Sequence, residues 1–179
     1  MKKTGILKII GFALMTSFAN HAFAADGSQP TVIDNQTAKF KLSAKLNDQY
    51  PNNNIEVAIF NNEVLLTGQV ASQNIKDAVY QEARRASKLP TIANYLTVGK
   101  NETVKEKAAD SLLTSKISSK LLTISGVDSG NVKVVTTGGV VYLLGVVSKS
   151  QGTAIINNVK TFKKNQQDLN IVDLMNYTA

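Results

Sequence analysis

Apolar residues recur at four-residue intervals in two separate stretches of the chain. The two series are Ala38, Leu42 and Leu46, and Leu113, Ile117 and Leu121. Because residues four apart lie on one face of an α-helix, each series predicts a helix with a single buried stripe. Thr103 and Glu106 form a predicted capping box at the start of the second of these helices.

A different periodicity follows each helix, with apolar side chains at alternate positions. The alternating residues are Ile55, Val57, Ile59, Val64, Leu66 and Val70 in the first stretch, and Val132, Val134, Val141, Leu143 and Val147 in the second. Such alternation is typical of β-strands with one buried face. Asn61-Asn62 interrupts the first run and Gly138-Gly139 interrupts the second. Both pairs tolerate the positive φ angles of tight turns. Each stretch therefore predicts a β-hairpin.

The two stretches are copies of one repeat. Residues 54–70 align without a gap on residues 131–147. Ser72 and Ser148 follow at matching places, and each is a plausible cap for a second amphipathic helix.

Each copy ends in a short apolar run, at residues 95–98 and 171–174, which predicts a last strand. The element order α-β-β-α-β predicts an α+β fold of two tandem modules. Each module is expected to contain a three-stranded mixed sheet with two helices packed on one face. We place the two domains at residues 33–99 and 104–175.

The N-terminus has the features of an export signal. Basic residues precede the apolar run Ile9–Phe18, and Ala22-Phe23-Ala24 has the small-x-small pattern that predicts cleavage after Ala24. The run is too short to cross a bilayer, which needs about 20 residues. Residues 1–24 are therefore a predicted signal peptide and residues 25–32 a linker. We expect the mature chain in the periplasm, with peripheral association with the outer membrane as a further expectation.

The composition argues against an enzyme. The chain has no cysteine, and its one histidine, His21, lies inside the predicted signal. Most general-base and transition-metal chemistry uses these residue types. The acidic residues form no repeated pair, and no phosphate-binding glycine motif occurs. We therefore expect no catalytic residues, no metal site and no cofactor.

The net charge of +7 becomes +4 when Lys2, Lys3 and Lys8 leave with the signal. The positive charge of the mature chain is unevenly distributed, because the residues up to Lys100 carry a net charge of +1 and the residues after it carry +3. A modest positive charge on an exported chain suits solubility or an anionic membrane surface, and it makes nucleic acid a poor partner.

The first helix of the second copy carries the candidate lipid-contact residues. Leu112, Lys116 and Lys120 share an outward stripe, and Lys105 and Lys107 lie at the helix start. An exposed leucine among lysines suits the boundary between lipid headgroups and acyl chains. A solvated helix face with one stray leucine is the alternative. The residues at the same offset in the first copy are Thr37, Lys41 and Lys45.

Two glycines, Gly68 and Gly145, occupy matching positions in the second strands. Close approach of the backbone to a ligand is one interpretation. We favour the structural interpretation, in which a helix packs where any side chain would collide.

The sheet face that the helices leave open also differs between the copies. It is mostly polar in the first copy, whereas in the second it is apolar and consists of Val135, Tyr142, Leu144 and Val146. An apolar sheet face of this kind is expected to be buried against another protein surface. The first module is the favoured cover, and a partner or another subunit remains an alternative, so the oligomeric state stays open.

Taken together, the hairpins with their glycines, Val57 to Gly68 and Val134 to Gly145, and the amphipathic helix before each resemble the BON family. The resemblance covers nearly the whole mature chain and is strongest in segment 110–123. It implies a non-catalytic envelope protein associated with phospholipid binding and envelope integrity, with osmotic or other envelope stress as its setting. It implies anionic phospholipid as partner, with envelope proteins as further partners. A periplasmic chaperone-like factor that binds proteins is the alternative.

Overall fold

The computed structural model describes residues 32–164 and 167–178. The predicted signal peptide (residues 1–24), its cleavage site and the linker up to residue 31 lie outside the described residues.

The first repeat folds into two helices and a mixed sheet. Its elements are α1 (Val32–Gln49), β1 (Asn54–Phe60), β2 (Glu63–Val70), α2 (Gln73–Ser87), β3 (Thr91–Asn94) and β4 (Thr97–Val98). Strand β2 is central: β1 pairs with it antiparallel, and β3 and β4 pair with its other side in parallel.

The second repeat has the same order. Its elements are α3 (Val104–Leu121), a 3₁₀ turn (Ser129–Asn131), β5 (Val132–Thr137), β6 (Val140–Ser148), α4 (Lys149–Val159), β7 (Lys163–Lys164), β8 (Gln167–Asp168) and β9 (Asn170–Thr178). Strand β6 is central, with β5 antiparallel and β9 parallel, while β7 and β8 form a small separate hairpin. The predicted α+β fold of two tandem modules is confirmed.

The last strands differ from the prediction in their extent. In the first module the strand is broken at Tyr95 and Leu96, because the Asn94 side chain accepts a hydrogen bond from the Leu96 amide (3.2 Å) and turns the backbone. In the second module β9 runs to Thr178, since it pairs with β6 along the whole length of that strand.

Local sequence signals explain where these elements begin and turn. Both residues of Asn61-Asn62 and of Gly138-Gly139 adopt positive φ angles, as tight hairpin turns require. Ser72 and Ser148 cap α2 and α4, and Thr103 forms a capping box with Glu106 at α3.

Gly68 and Gly145 lie at the same register, opposite Ile55 and Val132. The space that a side chain would need is taken by a backbone carbonyl oxygen, that of Asn54 at the start of β1 or of Asn131 just before β5, and not by an α-helix. Gly68 also has a φ of +108°, which side-chain-bearing residues rarely adopt.

Each module has its own core between the sheet and the helices. In the first, Leu42 and Leu46 of α1 pack with Val79 and Ala83 of α2 over the inner face of the sheet. In the second, the buried stripe of α3 packs with residues such as Ile155 of α4 and the inner face of β5, β6 and β9. The helices therefore cover one face of each sheet.

The other faces of the two sheets pack against each other. Ala58 and Leu65 of the first module contact Tyr142 and Leu144 of the second in a buried cluster that Val135 joins. Tyr95 completes it, since its ring lies edge-on to that of Tyr142 with the centroids 5.2 Å apart. The described layers therefore run helix, sheet, sheet, helix.

Val146 was predicted to share this contact, but the structure leaves it 40% exposed and outside the cluster. It lies on the same face of β6 as Leu144, two residues further along the strand.

One end of the contact between the sheets is polar. The Thr67 and Thr137 hydroxyls lie 3.1 Å apart, and the Thr137 hydroxyl donates to Glu56 (2.9 Å). Glu102, in the segment joining the modules, accepts from the Gly138 amide (2.8 Å) and from the Gln69 side chain (3.3 Å). Burial raises the pKa of Glu102. The segment that joins the two modules thus connects the hairpin turn of the second module to the first module.

Candidate lipid-contact site

Helix α3 presents a buried side and an exposed side. Leu113, Ile117 and Leu121 are buried in the second core. Leu112, one residue from Leu113, is 55% exposed, and Lys116 lies one turn further along the same flank. This exposed apolar side chain next to a lysine defines the candidate lipid-contact site.

A cleft of about 580 Å³ lies along this flank. Lys105, Leu112 and Lys116 form one wall, and Phe162 with Lys163 forms the other. The structure therefore brings three of the five predicted residues together. It also adds an aromatic ring and two further lysines from the segment after α4.

Lys107 and Lys120 do not line this cleft. The Lys107 ammonium instead contacts the side-chain oxygen of Asn54 in the first module. Lys120 is exposed in the last turn of α3, beyond the end of the cleft. Lys107 therefore contributes to the junction between the modules, and Lys120 extends the basic face of the helix.

Two further apolar side chains project from the ends of α3. Val104 is 87% exposed at the start of the helix, and Leu122 is 72% exposed just after its end. Both lie on the side of the helix opposite its buried stripe. Sequence reasoning missed them because it considered a single outward stripe, although both lie nine residues, or about two and a half turns, from the buried Leu113.

The acidic groups near the cleft are held in local hydrogen bonds. Asp110 is buried, and its carboxylate accepts from the Gly139 amide (2.8 Å) and pairs with Lys164 (2.6 Å). Hydrogen bonds from the backbone and side chain of Thr103 lower the pKa of Glu106. Lys163 pairs with Asp168. Lys105 and Lys116 form no ion pair within the described residues, so they are available to an anion.

The equivalent stripe of the first module is arranged differently. Lys45 pairs with the buried Glu82 of α2 (2.5 Å), and Thr37 replaces the leucine. Phe40 is 75% exposed on α1, but it points away from the flank that carries Lys41 and Lys45. The combination of a leucine, a phenylalanine ring and unpaired lysines in one cleft occurs, among the described residues, in the second module.

No described helix is both long and apolar enough to cross a membrane. Within residues 32–164 and 167–178, no three His, Cys, Asp or Glu side chains come close enough together to hold a metal ion.

The paired α-β-β-α-β modules place the chain in a known class of protein. Residues 34–100 and 109–164 match the BON domain, and these segments make up more than half of the chain. The chain therefore belongs to the BON domain family, as its sequence resemblance implied.

Among its relatives is outer membrane lipoprotein DolP of Haemophilus influenzae, 31% identical over 127 residues that cover 69% of this chain and 66% of that protein. Osmotically-inducible protein Y of Escherichia coli is 35% identical over 113 residues, which cover 62% of this chain and 56% of that protein. A protein of Anaplasma centrale is 31% identical over 144 residues, covering 79% of this chain and 95% of that protein.

The matched segment spans less than two thirds of the length of DolP and of osmotically-inducible protein Y. These similarities make the chain a BON-domain protein related to proteins of the bacterial envelope.

Proposed function

We propose that this chain is a non-enzymatic periplasmic protein that contacts anionic phospholipid through the exposed side of α3. In this role it supports outer-membrane integrity or the response to envelope stress. The observation that carries the proposal is the cleft that Leu112 and Phe162 line together with Lys105 and Lys116, two lysines that pair with no carboxylate among the described residues.

The two parts of a phospholipid correspond to the two kinds of side chain in this cleft. Leu112 and Phe162 offer apolar surface to the acyl region, while the lysine ammonium groups attract the phosphate. Each basic residue near an anionic leaflet contributes about 1 kcal/mol of attraction. The relation to an outer membrane lipoprotein supports an envelope setting.

Flotation of the mature chain with vesicles tests this proposal. We expect binding to vesicles that contain anionic lipid and weaker binding to zwitterionic ones. Replacing Lys116 and Lys120 together by alanine should cost roughly 2 kcal/mol. That is about a thirtyfold loss of affinity.

A matched control is available at the two ends of α4 in the same module. Lys149 in its first turn and Lys160 just after its end are both exposed and do not line the cleft, so replacing them by alanine removes the same charge elsewhere. Lys45 is unsuitable as a control because it pairs with buried Glu82. Equal losses in the two double variants would show general electrostatic attraction, and absence of wild-type binding at low salt would refute the lipid contact.

Export is tested separately, by mass spectrometry of the protein recovered from the periplasm. The N-terminal residue should be Ala25, after removal of residues 1–24. An intact Met1 on a membrane-embedded chain would contradict the proposed location.

A further inference from the structure

A second cleft, of about 400 Å³, lies where the edges of the two sheets come together. Its walls come from β1 and β5 and from the helix that packs over each of these strands. The lining residues are Lys39 and Ser43 of α1, Ile55 to Ala58 of β1, Thr67 of β2, Ser111 and Thr114 of α3, and Lys133 to Thr136 of β5. Ser111 and Thr114 lie on the other side of α3 from the Leu112 cleft.

Strand edges, not strand faces, border this cleft. Four consecutive residues of β1 and four of β5 line it, although successive side chains in a strand point to opposite faces. Both strands stand at the end of the strand order of their sheet. An outer edge presents backbone N–H and C=O groups that no neighbouring strand pairs. The cleft therefore offers hydrogen-bonding backbone along about 13 Å, at about 3.3 Å per residue.

Apart from the apolar residues of β1 and β5, the side chains around the cleft are polar, and two of them are lysines. Lys39 and Lys133 form no ion pair with a carboxylate in the described part of the chain. Glu56, the acidic residue of the lining, accepts a hydrogen bond from Thr137. Thr136 is 8% exposed, and its buried hydroxyl oxygen has no hydrogen-bond partner among the described residues. The cleft thus combines an open strand edge with two unpaired cations.

The lining distinguishes this cleft from a lipid site. None of the exposed large hydrophobic side chains of the described residues borders it, whereas Leu112 borders the cleft on the other flank of α3. Hydroxyl groups, lysines and open strand edges suit a polar, extended chain better than an acyl chain.

We propose that the edge of β5 binds an extended acidic polypeptide segment of another protein as an added strand. The backbone of the segment would pair with Lys133 to Thr136, and carboxylates at alternate positions would face Lys133 and Lys39. Strand β5 is the docking edge because it carries Lys133 and Thr136, whereas β1 carries Glu56. A second copy of this chain is a poorer occupant, since its own β5 edge carries the same positive charge.

The test uses the mature chain and a synthetic ten-residue peptide of alternating threonine and glutamate. Fluorescence anisotropy of the labelled peptide should show saturable binding. Hydrogen exchange should slow across Lys133 to Thr136 and remain unchanged across the far edge strand β9. A peptide with lysine in place of glutamate should bind at least tenfold more weakly. Equal binding of both peptides, or protection of β9 instead, would overturn the proposal.

Two variants isolate the edge. Lys133→Glu should weaken peptide binding about tenfold, whereas Lys149→Glu, with the same charge change on α4, should not. Thr136→Val, at the same edge, should keep both peptide binding and thermal stability, because the buried hydroxyl has no partner to lose and the backbone of the edge is unchanged. Vesicle binding should be unchanged in both edge variants, so failure of this proposal and of the lipid proposal can be told apart. Sedimentation showing a dimer with β5 protected in the absence of peptide would overturn the proposal in favour of a second copy.

Discussion

The hydroxyl oxygens of Thr67 and Thr137 lie 3.1 Å apart, although the two residues belong to different copies of the repeat. They occupy the buried surface on which the two sheets meet, beside an apolar cluster drawn from both modules. The modules therefore share a core in addition to the one that each has beneath its helices. This shared core makes the stability of one module depend on the other.

Truncation of Leu144 tests the shared core. Its side chain is 1% exposed because the first sheet covers it, so Leu144→Ala should lower the free energy of unfolding by about 3 kcal/mol. Val146→Ala, on the same strand face but exposed, should cost less than about 1 kcal/mol. Urea denaturation measures both. A loss at Leu144 as small as that at Val146 would mean that the sheets do not pack in solution.

Leu65 in the first module lies in the same cluster as Leu144. The double variant Leu65→Ala with Leu144→Ala should deviate from additivity by at least about 0.5 kcal/mol, as residues that share a cavity do. Purely additive losses would indicate two independent modules.

The two strand glycines should differ in their tolerance of alanine. Gly145→Ala brings a methyl group against the Asn131 carbonyl and should cost about 2 kcal/mol. Gly68→Ala meets the Asn54 carbonyl and adds a strained positive φ, so it should cost about 2 kcal/mol more. Gly99→Ala is the control, because nothing lies within 4 Å of the added atom. Thermal and urea unfolding measure the stability of the three variants. A Gly68→Ala variant as stable as Gly99→Ala would contradict this order.

Glu82 should contribute stability that depends on pH. Its hydrogen bond with Lys45, followed by that with Arg85, lowers its pKa from 4.5. A carboxyl with a lowered folded-state pKa stabilises the protein above the unfolded value and loses that contribution as the pH falls. Wild type should therefore lose more stability than Glu82→Gln between pH 7 and pH 3. Urea denaturation at each pH measures this difference. If the urea midpoints of the two proteins fell by the same amount across this range, Glu82 would not be the source of pH-dependent stability.

Leu112 should contribute to lipid binding without contributing to folding. Leu112→Ala removes apolar surface that is exposed in the free protein, so vesicle affinity should fall about tenfold. The free energy of unfolding should change by no more than about 0.5 kcal/mol. Raising the salt concentration should weaken the wild type and this variant alike, because screening acts on the lysines. An unchanged affinity would remove Leu112 from the site.

Local patterns were sufficient to predict most of the fold. The four-residue series, the alternating runs and the turn pairs Asn61-Asn62 and Gly138-Gly139 depend on neighbours within a few residues, and the structure has the predicted helices and hairpins at these places. The break at Tyr95 and the extension of β9 were not predicted, since they depend on a side-chain hydrogen bond and on pairing with a distant strand.

The sequence alone determined the repeat, its α-β-β-α-β order and the exposed leucine among lysines on α3. These features follow from the spacing of residues only a few positions apart, which sets the periodicity of helices and strands. The sequence favoured the first module as the cover of the apolar sheet face of the second. Tertiary structure decided which residues make that contact, that Phe162 and Lys163 join Leu112, and that Lys107 turns to Asn54. These contacts join residues about 50 or more positions apart in the chain. They follow from the packing of whole helices and sheets against one another, which no local periodicity specifies.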